Sequence, residues 1–485
     1  MTDQIRSLEP EALWQHFADL NAIPRPSKKE EKVRDFMIAF GKQLGLETQS
    51  DHTGNVLIRK PATNGMEDRQ TIILQAHLDM VHQKNADTEF DFETQGIEMY
   101  VDSGWVKARG TTLGADNGMG VAAIMAVLSS DQMIHPPLEA LFTIDEETGM
   151  TGAKGLEGGW LKGKMLLNLD TEEDDELDIG CAGGLDLTAE LEYAEESSEF
   201  VDLHFFQISV SGLKGGHSGI DIHLGRANAN KLLARLLLQQ DELHQMRIVS
   251  IEGGSLRNAI PRESNAWVAV PENQSDAFLT TVQLRIEEIQ EEYRTIESGM
   301  TIQLVPAHSS ETLVPVETQR KICLSLMGAH NGVYRMSPTL SDLVEASNNV
   351  AKVQVSKGKA VVMCLIRSSV ESTKTEVANA LHSVFSLAGF SVNLSGDYPG
   401  WTPNTDSPLL GQAKKIYQQV HGTEPRIVAC HAGLECGILA KNYPGMDMIS
   451  FGPTIQGAHS PDEKVNIASV SKFWTYLQEF LKEIH

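Results

Sequence analysis

The segment TIILQAHLDMV, residues 71–81, changes within a few positions from a strand-like run to chemically reactive side chains. Its first part, Thr71 to Ala76, is a mainly apolar run that predicts a buried strand. The run ends on His77 and Asp79, which point to the same side because side chains alternate along an extended chain. Ligands of open α/β sheets bind beyond the carboxyl ends of the strands. The segment therefore predicts an α/β protein with a site at the end of this strand.

The same arrangement recurs elsewhere in the chain. Five further acidic or imidazole side chains follow apolar runs or lie in Gly-rich loops: Asp116, Glu146, Glu147, Asp170 and His459. Each alone has an ordinary explanation, such as a solvated turn or a loop cap, but their repetition at strand ends favours a common site. Mixed imidazole and carboxylate ligands suit borderline cations such as zinc. The set predicts two divalent ions, about 3.5–4 Å apart, that share one carboxylate.

Periodicity divides the chain into three stretches. Residues 1–184 alternate strands and helices and predict the first part of an α/β domain, to which residues 400–485 return. Residues 185–399 predict an inserted α+β domain, which includes one continuous helix over Ala227–Gln240. Two segments of this insert, residues 266–289 and 361–385, share a rhythm of strand, polar turn and helix, which suggests two similar halves.

Composition narrows the function. The 485 residues include 66 acidic and 40 basic side chains, for a formal net charge of −26. This excess of negative charge repels phosphate backbones and anionic bilayers and argues against nucleic acid or a membrane as a partner. The five cysteines lack Cys-x-x-Cys spacing, and the N-terminal residues lack the apolar stretch of a secretion signal. We therefore expect a cytoplasmic protein with reduced thiols.

Two alternatives from other functional classes remain open on the residues alone. Gly118, Gly120 and Ala123 match a G-x-G-x-x-A dinucleotide pattern, although the preceding residues do not form an apolar strand. A dinucleotide-dependent oxidoreductase of this kind would not depend on metal. A non-catalytic protein that metal merely stabilises is the second alternative.

Six motifs together resemble the dizinc aminoacylase, carboxypeptidase G and dipeptidase family. They are HLD at 77–79, GADN at 114–117, DEETG at 145–149, NLD at 168–170, GGHSG at 215–219 and AHSPDE at 458–463. The resemblance extends over essentially the whole chain. It implies a discontinuous catalytic domain, with a mixed sheet flanked by helices, and an inserted α+β lid and dimerisation domain of two similar halves.

The resemblance also implies an activity, namely hydrolysis of unblocked dipeptides, including Xaa-His and β-alanyl-histidine. Another amidohydrolase on the same scaffold, an N-acyl amino acid deacylase or a tripeptide aminopeptidase, is the alternative. The implied cofactors are two divalent ions, zinc foremost, with cobalt or manganese as substitutes. The implied partners are dipeptide substrates and a second copy of the chain, bound through the lid.

The resemblance assigns roles to individual residues. Asp116 would bridge the two ions, His77 and Asp170 would complete one ion, and Glu147 and His459 the other. Glu146 would be the general base that deprotonates the bridging water and returns the proton to the leaving amine. Asp79 would fix the tautomer of His77 through a hydrogen bond.

Further residues would bind the substrate. His217 in GGHSG would stabilise the oxyanion of the tetrahedral intermediate. In many relatives this histidine comes from the partner subunit, so the resemblance leaves open whether His217 acts within its own chain. Asn258 and Arg367 would bind the substrate carboxylate, and His431 and Glu435 would lie near the substrate, with Glu435 at its free amine.

Overall fold

The computed structural model of the protein describes residues 2–198, 202–310 and 312–484. Met1 and His485, at the ends of the predicted α/β parts, lie outside the described residues. Among the helices in these ranges, none is both long and apolar enough to cross a membrane. The chain divides into two compact units. The first includes the chain up to Gly180, Trp401–Ala429 and the chain from Leu434 onward; the second includes Cys181–Gly400 and Cys430–Gly433.

The helices are numbered in chain order. They are α1 (Thr2–Arg6), α2 (Glu11–Asn21), α3 (Glu31–Gln43), α4 (Ala115–Ser129), α5 (Thr151–Gly155), α6 (Ala229–Leu237), α7 (Gln240–His244), α8 (Ser275–Tyr293), α9 (Val316–Gly328), α10 (Glu371–Leu387), α11 (Pro408–His421), α12 (Glu435–Asn442) and α13 (Ile467–Glu483).

The strands follow the same convention. They are β1 (Glu47–Ser50), β2 (Val56–Lys60), β3 (Ile72–His77), β4 (Met99–Asp102), β5 (Trp105–Ala108), β6 (Leu138–Thr143), β7 (Met165–Asn168), β8 (Glu176–Cys181), β9 (Gly183–Glu192), β10 (Glu196–Ser197), β11 (Leu203–Ser211), β12 (Gly216–His217), β13 (Arg247–Gly253), β14 (Ala259–Ile260), β15 (Ser264–Pro271), β16 (Thr301–Pro306), β17 (Thr312–Leu313), β18 (Gly332–Met336), β19 (Val344–Ser356), β20 (Lys359–Ser368), β21 (Ser391–Tyr398), β22 (Arg426–Cys430), β23 (Asp447–Ser450), β24 (Ile455–Gln456) and β25 (Lys464–Asn466).

The first unit is built on a mixed sheet with the strand order β1-β2-β6-β3-β7-β23-β8-β22. The central strands β6, β3, β7 and β23 are parallel to one another, whereas β1 and β2 pair antiparallel with their neighbours and β8 pairs antiparallel with β23. Every residue of β3, β6 and β7 is buried, which explains why these segments are nearly continuous apolar runs. Because parallel strands end at the same edge, the residues that follow β3, β6 and β7 come together there.

The second unit is built on an antiparallel sheet with the order β16-β11-β15-β13-β19-β20-β9-β21, and β18 pairs with β19. The order is symmetric about the β13–β19 pair, in which Glu252 lies opposite Gln354. In each half a helix follows an inner strand and leads to the edge strand: α8 connects β15 to β16, and α10 connects β20 to β21. These two connections are the segments whose shared rhythm the sequence shows.

The continuous helix predicted over Ala227–Gln240 is wrong in its extent. Helix α6 ends at Leu237, and α7 starts separately at Gln240. Gln239 between them has a left-handed backbone with φ of +64°, which an α-helix cannot continue through. The guanidinium of Arg285 donates to the carbonyl oxygen of Leu238 (2.9 Å), so a cation from another helix binds the chain at the break.

Core packing in the second unit yields a prediction about stability. Phe278 is fully buried, and its ring centroid lies 5.7 Å from that of Phe206. We expect Phe278→Ala to lower the free energy of unfolding by about 3–5 kcal/mol, because the lost ring leaves a cavity. Leu387→Ala is the matched control, since Leu387 is 90% exposed, and it should change stability by less than about 0.5 kcal/mol. Urea unfolding followed by circular dichroism measures both, and equal effects would contradict the packing described here.

Candidate metal centre

The acidic and imidazole side chains come from segments that meet at one edge of the first unit's sheet. His77 is the last residue of β3, Glu146 and Glu147 follow β6, and Asp170 follows β7. Asp116 lies in the first turn of α4, and His459 lies in the loop between β24 and β25. The sheet topology therefore explains why residues so far apart in the sequence can share a site.

Asp116 contacts two histidines through different oxygens. Its Oδ1 lies 3.2 Å from His77 Nε2, and its Oδ2 lies 3.2 Å from His459 Nε2. His77 Nε2 also lies 3.5 Å from Asp170 Oδ1, and His459 Nε2 lies 3.0 Å from Glu147 Oε2. The cluster thus consists of two adjoining sets that have only Asp116 in common.

Each set has the geometry of a possible cation site. The ligand atoms of His77, Asp116 and Asp170 all lie within 4.8 Å of one another, and so do those of Asp116, Glu147 and His459. A third group under the same limit consists of His77, Glu146 and Glu147, which places Glu146 beside both sets.

Asp79 connects the end of β3 to the segment that carries the paired glutamates. Its Oδ1 lies 3.3 Å from His77 Nδ1, and its two oxygens accept the backbone N–H groups of Glu146 (3.0 Å) and Glu147 (3.2 Å). Burial opposes the charged form of Asp79, but the hydrogen bond and charge of His77, together with the hydrogen bonds from the Glu146 N–H and from Ser27, outweigh burial and lower the pKa of this carboxyl. Asp79 therefore stays ionised and orients His77 and the glutamate backbone together.

The electrostatics of the cluster call for positive charge. Burial, reinforced by neighbouring carboxylates, raises the pKa of Glu146 well above its usual range and raises the pKa of Glu147 and of Asp170. Hydrogen bonds to Asp116 and Glu147 raise the pKa of His459 to about 11. Glu147 Oε1 is buried, and no residue within the described ranges donates a hydrogen bond to it, which is costly unless a cation is its partner. These residues fit a cation site.

Glu435 lies buried within the first unit, at the start of α12. Its Oε2 accepts hydrogen bonds from Gln75 Nε2 (2.7 Å) and Thr143 Oγ1 (2.5 Å), which belong to β3 and β6. Gln75 Oε1 accepts in turn from Asn168 Nδ2 of β7 (2.5 Å). Burial raises the pKa of Glu435 to about 8. A polar network thus joins the three strands that lead to His77, Glu146 and Asp170, and the predicted contact of Glu435 with a substrate amine stays a prediction.

The remaining predicted substrate residues cluster within the second unit. Arg367 Nη2 lies 3.3 Å from His217 Nε2, and the backbone oxygen of Asn258 accepts from Ser218 N (2.8 Å). His431 Nε2 lies 2.8 Å from Ser347 Oγ. Burial, and then the positive charge of Arg367, lowers the pKa of His431 to about 3. The cluster therefore contains one permanent cation, Arg367, beside imidazoles.

Sequence reasoning missed three residues that shape the metal cluster. The side chain of Asn117 donates to the Leu169 carbonyl oxygen (2.7 Å) and to Asp170. Arg25 and Glu463 are buried and bind the backbone around Asp116. Glu463 belongs to the AHSPDE motif, but no sequence pattern reveals from which backbone N–H groups its carboxylate accepts hydrogen bonds.

Carboxylates and imidazoles at the ends of parallel strands form groups that could hold metal ions, as in a metalloenzyme. The chain matches Peptidase family M20/M25/M40 over residues 73–483 and belongs to this family. The family resemblance inferred from the six motifs is thereby confirmed.

Two close relatives match nearly the whole chain. It is 44% identical over 481 residues to the cytosol non-specific dipeptidase of Escherichia coli K12, covering 99% of both chains. It is also 44% identical to the aminoacylhistidine dipeptidase of Vibrio alginolyticus, whose crystal structure superposes with a TM-score of 0.93 and covers 99% of this chain and 98% of that one. Aminopeptidase PepT of Bacillus cereus, at 15% identity and a TM-score of 0.57 over 98% of this chain and 99% of that one, shares the fold.

Asp116 yields a prediction about metal binding. Asp116→Asn removes the charge that both sets share, so we expect it to weaken binding of both ions, whereas Asp170→Asn should weaken one. Mutation of a residue that only hydrogen-bonds a metal ligand costs about 10–100-fold in metal affinity, and loss of a direct ligand should cost at least that. Elemental analysis of zinc per chain after gel filtration measures the result. Equal zinc content in the two variants would contradict a shared role of Asp116.

Proposed function

We propose that this chain is a two-metal dipeptidase that hydrolyses unblocked dipeptides, including Xaa-His and β-alanyl-histidine. The observation that carries the proposal is the position of the Asp116 carboxylate, whose two oxygens lie 3.2 Å from two different histidines. The relatives that match over 99% of the chain at 44% identity are named as dipeptidases, which supports the choice of substrate class.

This geometry supports an assignment of ligands to each ion. Asp116 would hold both ions, with His77 and Asp170 completing one and Glu147 and His459 the other. Zinc is the first choice, because two imidazoles and three carboxylates suit a borderline cation, and cobalt or manganese would substitute. When bound, such ions polarise a carbonyl group and lower the pKa of water.

Glu146 would move the proton in this reaction. It lies beside both ligand sets without being needed in either, and it adjoins His77 and Glu147 within 4.8 Å. Burial raises its pKa, so its carboxylate binds a proton more readily than an exposed one. Glu146 would take a proton from the attacking water and pass it to the leaving amine, while Asp79 keeps the His77 imidazole in one orientation.

The second unit would recognise the substrate. Arg367 is buried, and its Nε has no hydrogen-bond partner among the residues that the structure describes, so a substrate carboxylate would satisfy it with a charge-assisted bond. Asn258 would share that carboxylate, His217 would donate to the developing oxyanion, and His431 would line the same cluster. Glu435 of the first unit is the proposed partner of the free amine.

Substitution of the general base tests the mechanism. We expect Glu146→Gln to lower kcat by about 10²–10⁴-fold with zinc still bound, because the amide cannot take a proton. Glu157→Gln, at an exposed position, is the control and should keep full activity. Unchanged activity of Glu146→Gln would favour a protein that metal merely stabilises.

The substrate class is tested with a panel of free dipeptides, tripeptides and N-acetyl amino acids. Hydrolysis of the dipeptides, abolished by a chelator and restored by zinc, is the expected result. Activity confined to acetylated substrates or tripeptides would instead support the deacylase or the aminopeptidase. Hydrolysis that survives complete metal removal would contradict the proposal.

We also propose that His217 acts within its own chain. His217 follows β11 of one half of the second unit, and its partner Arg367 lies on β20 of the other half. One chain therefore supplies both halves of this cluster, so no second copy is needed to bring the two side chains together.

Mixing two inactive variants tests this assignment. The Glu146→Gln variant keeps an intact His217, and the His217→Ala variant keeps an intact Glu146. If the histidine came from the partner subunit, a mixed dimer in a refolded mixture would therefore regain one active site. We expect no restoration, because each chain lacks one part of its own machinery. Recovery of about a quarter of wild-type activity, the statistical limit for random dimers, would overturn the proposal. A homodimer through the second unit and a cytoplasmic location stay predictions, and light scattering tests the first.

A further inference from the structure

The turn that carries Asp116 is bound on one side by a single carboxylate. Glu463 Oε2 accepts the backbone N–H groups of Leu113 (2.7 Å) and Gly114 (2.9 Å). Its Oε1 accepts those of Ala115 (2.7 Å) and Asp116 (3.3 Å). Four consecutive backbone N–H groups at the start of α4 thus donate to one buried side chain. Glu463 follows His459 by four residues in the sequence.

A buried guanidinium binds the same turn from the other side. Arg25 is 1% exposed, and its Nη2 donates to the carbonyl oxygen of Gly114 (2.5 Å). Its Nη1 donates to the carbonyl oxygens of Leu78 and Asp79, both at 3.0 Å, directly after His77. Burial lowers the pKa of Arg25 to about 10, and nearby carboxylates oppose the shift, so the side chain stays charged at neutral pH.

The two side chains connect Asp116 to different histidines. Glu463 joins the Asp116 turn to the loop of His459, whereas Arg25 joins it to the end of β3, where His77 lies. We propose that Arg25 and Glu463 are positioning residues that form a two-sided clamp on the Asp116 turn, with Arg25 setting the His77–Asp170 ion site and Glu463 setting the His459–Glu147 ion site. This inference rests on the two-metal site proposed above.

The chemistry of each contact suggests the informative substitutions. Glu463→Gln keeps the shape but puts an NH₂ group against backbone N–H donors, because an amide has only one acceptor oxygen. Arg25→Lys keeps the charge but loses the planar fork that reaches Gly114, Leu78 and Asp79 at once. Each change should therefore loosen one connection and leave the other in place.

The experiment is a titration of the metal-free full chain with Zn²⁺ in competition with a chelator, which gives two dissociation constants. The ligand variants Asp170→Asn and Glu147→Gln identify the constant that belongs to each site. We expect Glu463→Gln to raise the dissociation constant of the His459–Glu147 site, which Glu147→Gln identifies, by about 10–100-fold. Arg25→Lys should raise the dissociation constant of the His77–Asp170 site, which Asp170→Asn identifies, by a similar factor. Double-mutant cycles should show coupling between Glu463→Gln and Glu147→Gln and between Arg25→Lys and Asp170→Asn. The effects should be additive when a clamp variant is combined with the ligand variant of the other site.

Matched controls separate positioning from general destabilisation. Glu297 is a buried glutamate that accepts backbone N–H groups of Lys214 (2.8 Å) and Ala227 (2.9 Å) in the second unit. Arg285 donates to the carbonyl oxygens of Arg235 and Leu238. Glu297→Gln and Arg285→Lys should leave both zinc constants unchanged. Circular dichroism confirms folding, and Glu463→Asp replaces Glu463→Gln if the latter does not fold.

The outcomes distinguish the clamp from the proposed function. If the wild-type chain binds two zinc ions but both clamp variants behave like the controls, or weaken the two ions equally, the clamp is overturned and the two-metal site stands. If the wild-type chain binds fewer than two zinc ions, the two-metal function itself fails and the clamp fails with it.

Discussion

The carboxylate of Asp116 faces two imidazoles at once, and this requirement constrains the whole first unit. His77 arrives at the end of a central parallel strand, and His459 arrives on a loop near the other end of the chain. Each imidazole lies 3.2 Å from a different oxygen of one rigid, planar group. A shift of either segment by about 1 Å would move one contact out of hydrogen-bond range. The sheet order and the clamp at the start of α4 both serve this alignment.

Such a concentration of buried acid costs free energy, and the surrounding structure offsets the cost with fixed donors. Asp79 accepts two backbone N–H groups, and Glu463 accepts four. Arg25 adds a permanent charge beneath the cluster without neutralising any one carboxylate, because its hydrogen bonds go to carbonyl oxygens and to the amide oxygen of Asn21. The backbone around the cluster is thus held by the charged side chains of Asp79, Glu463 and Arg25, while the clustered carboxylates and imidazoles remain available to cations.

The sequence predicts the parts of this arrangement that depend on local pattern. His77 and Asp170 are visible because each ends an apolar strand, and the two related segments of the insert are visible because their rhythm repeats. The clamp is invisible, because Arg25 and Glu463 act through backbone atoms of segments far away in the chain. The break at Gln239 is equally hidden, since Arg285, 46 positions further along by number, binds the chain there. Long-range contacts between a side chain and a distant backbone leave no periodic trace.

The glycines that resemble a dinucleotide pattern have a different explanation in the fold. A Cβ atom at Gly118 would lie 2.7 Å from Arg25 Nη2, and one at Gly120 would lie 2.5 Å from the Leu169 carbonyl oxygen. Gly114 has φ of +69°, and its Cβ atom would lie 2.5 Å from the same Arg25 nitrogen. These positions exclude a side chain because the guanidinium and the end of β7 already occupy the space. Small residues before and within α4 therefore let the Asp116 carboxylate approach its neighbours, and the pattern needs no nucleotide to account for it.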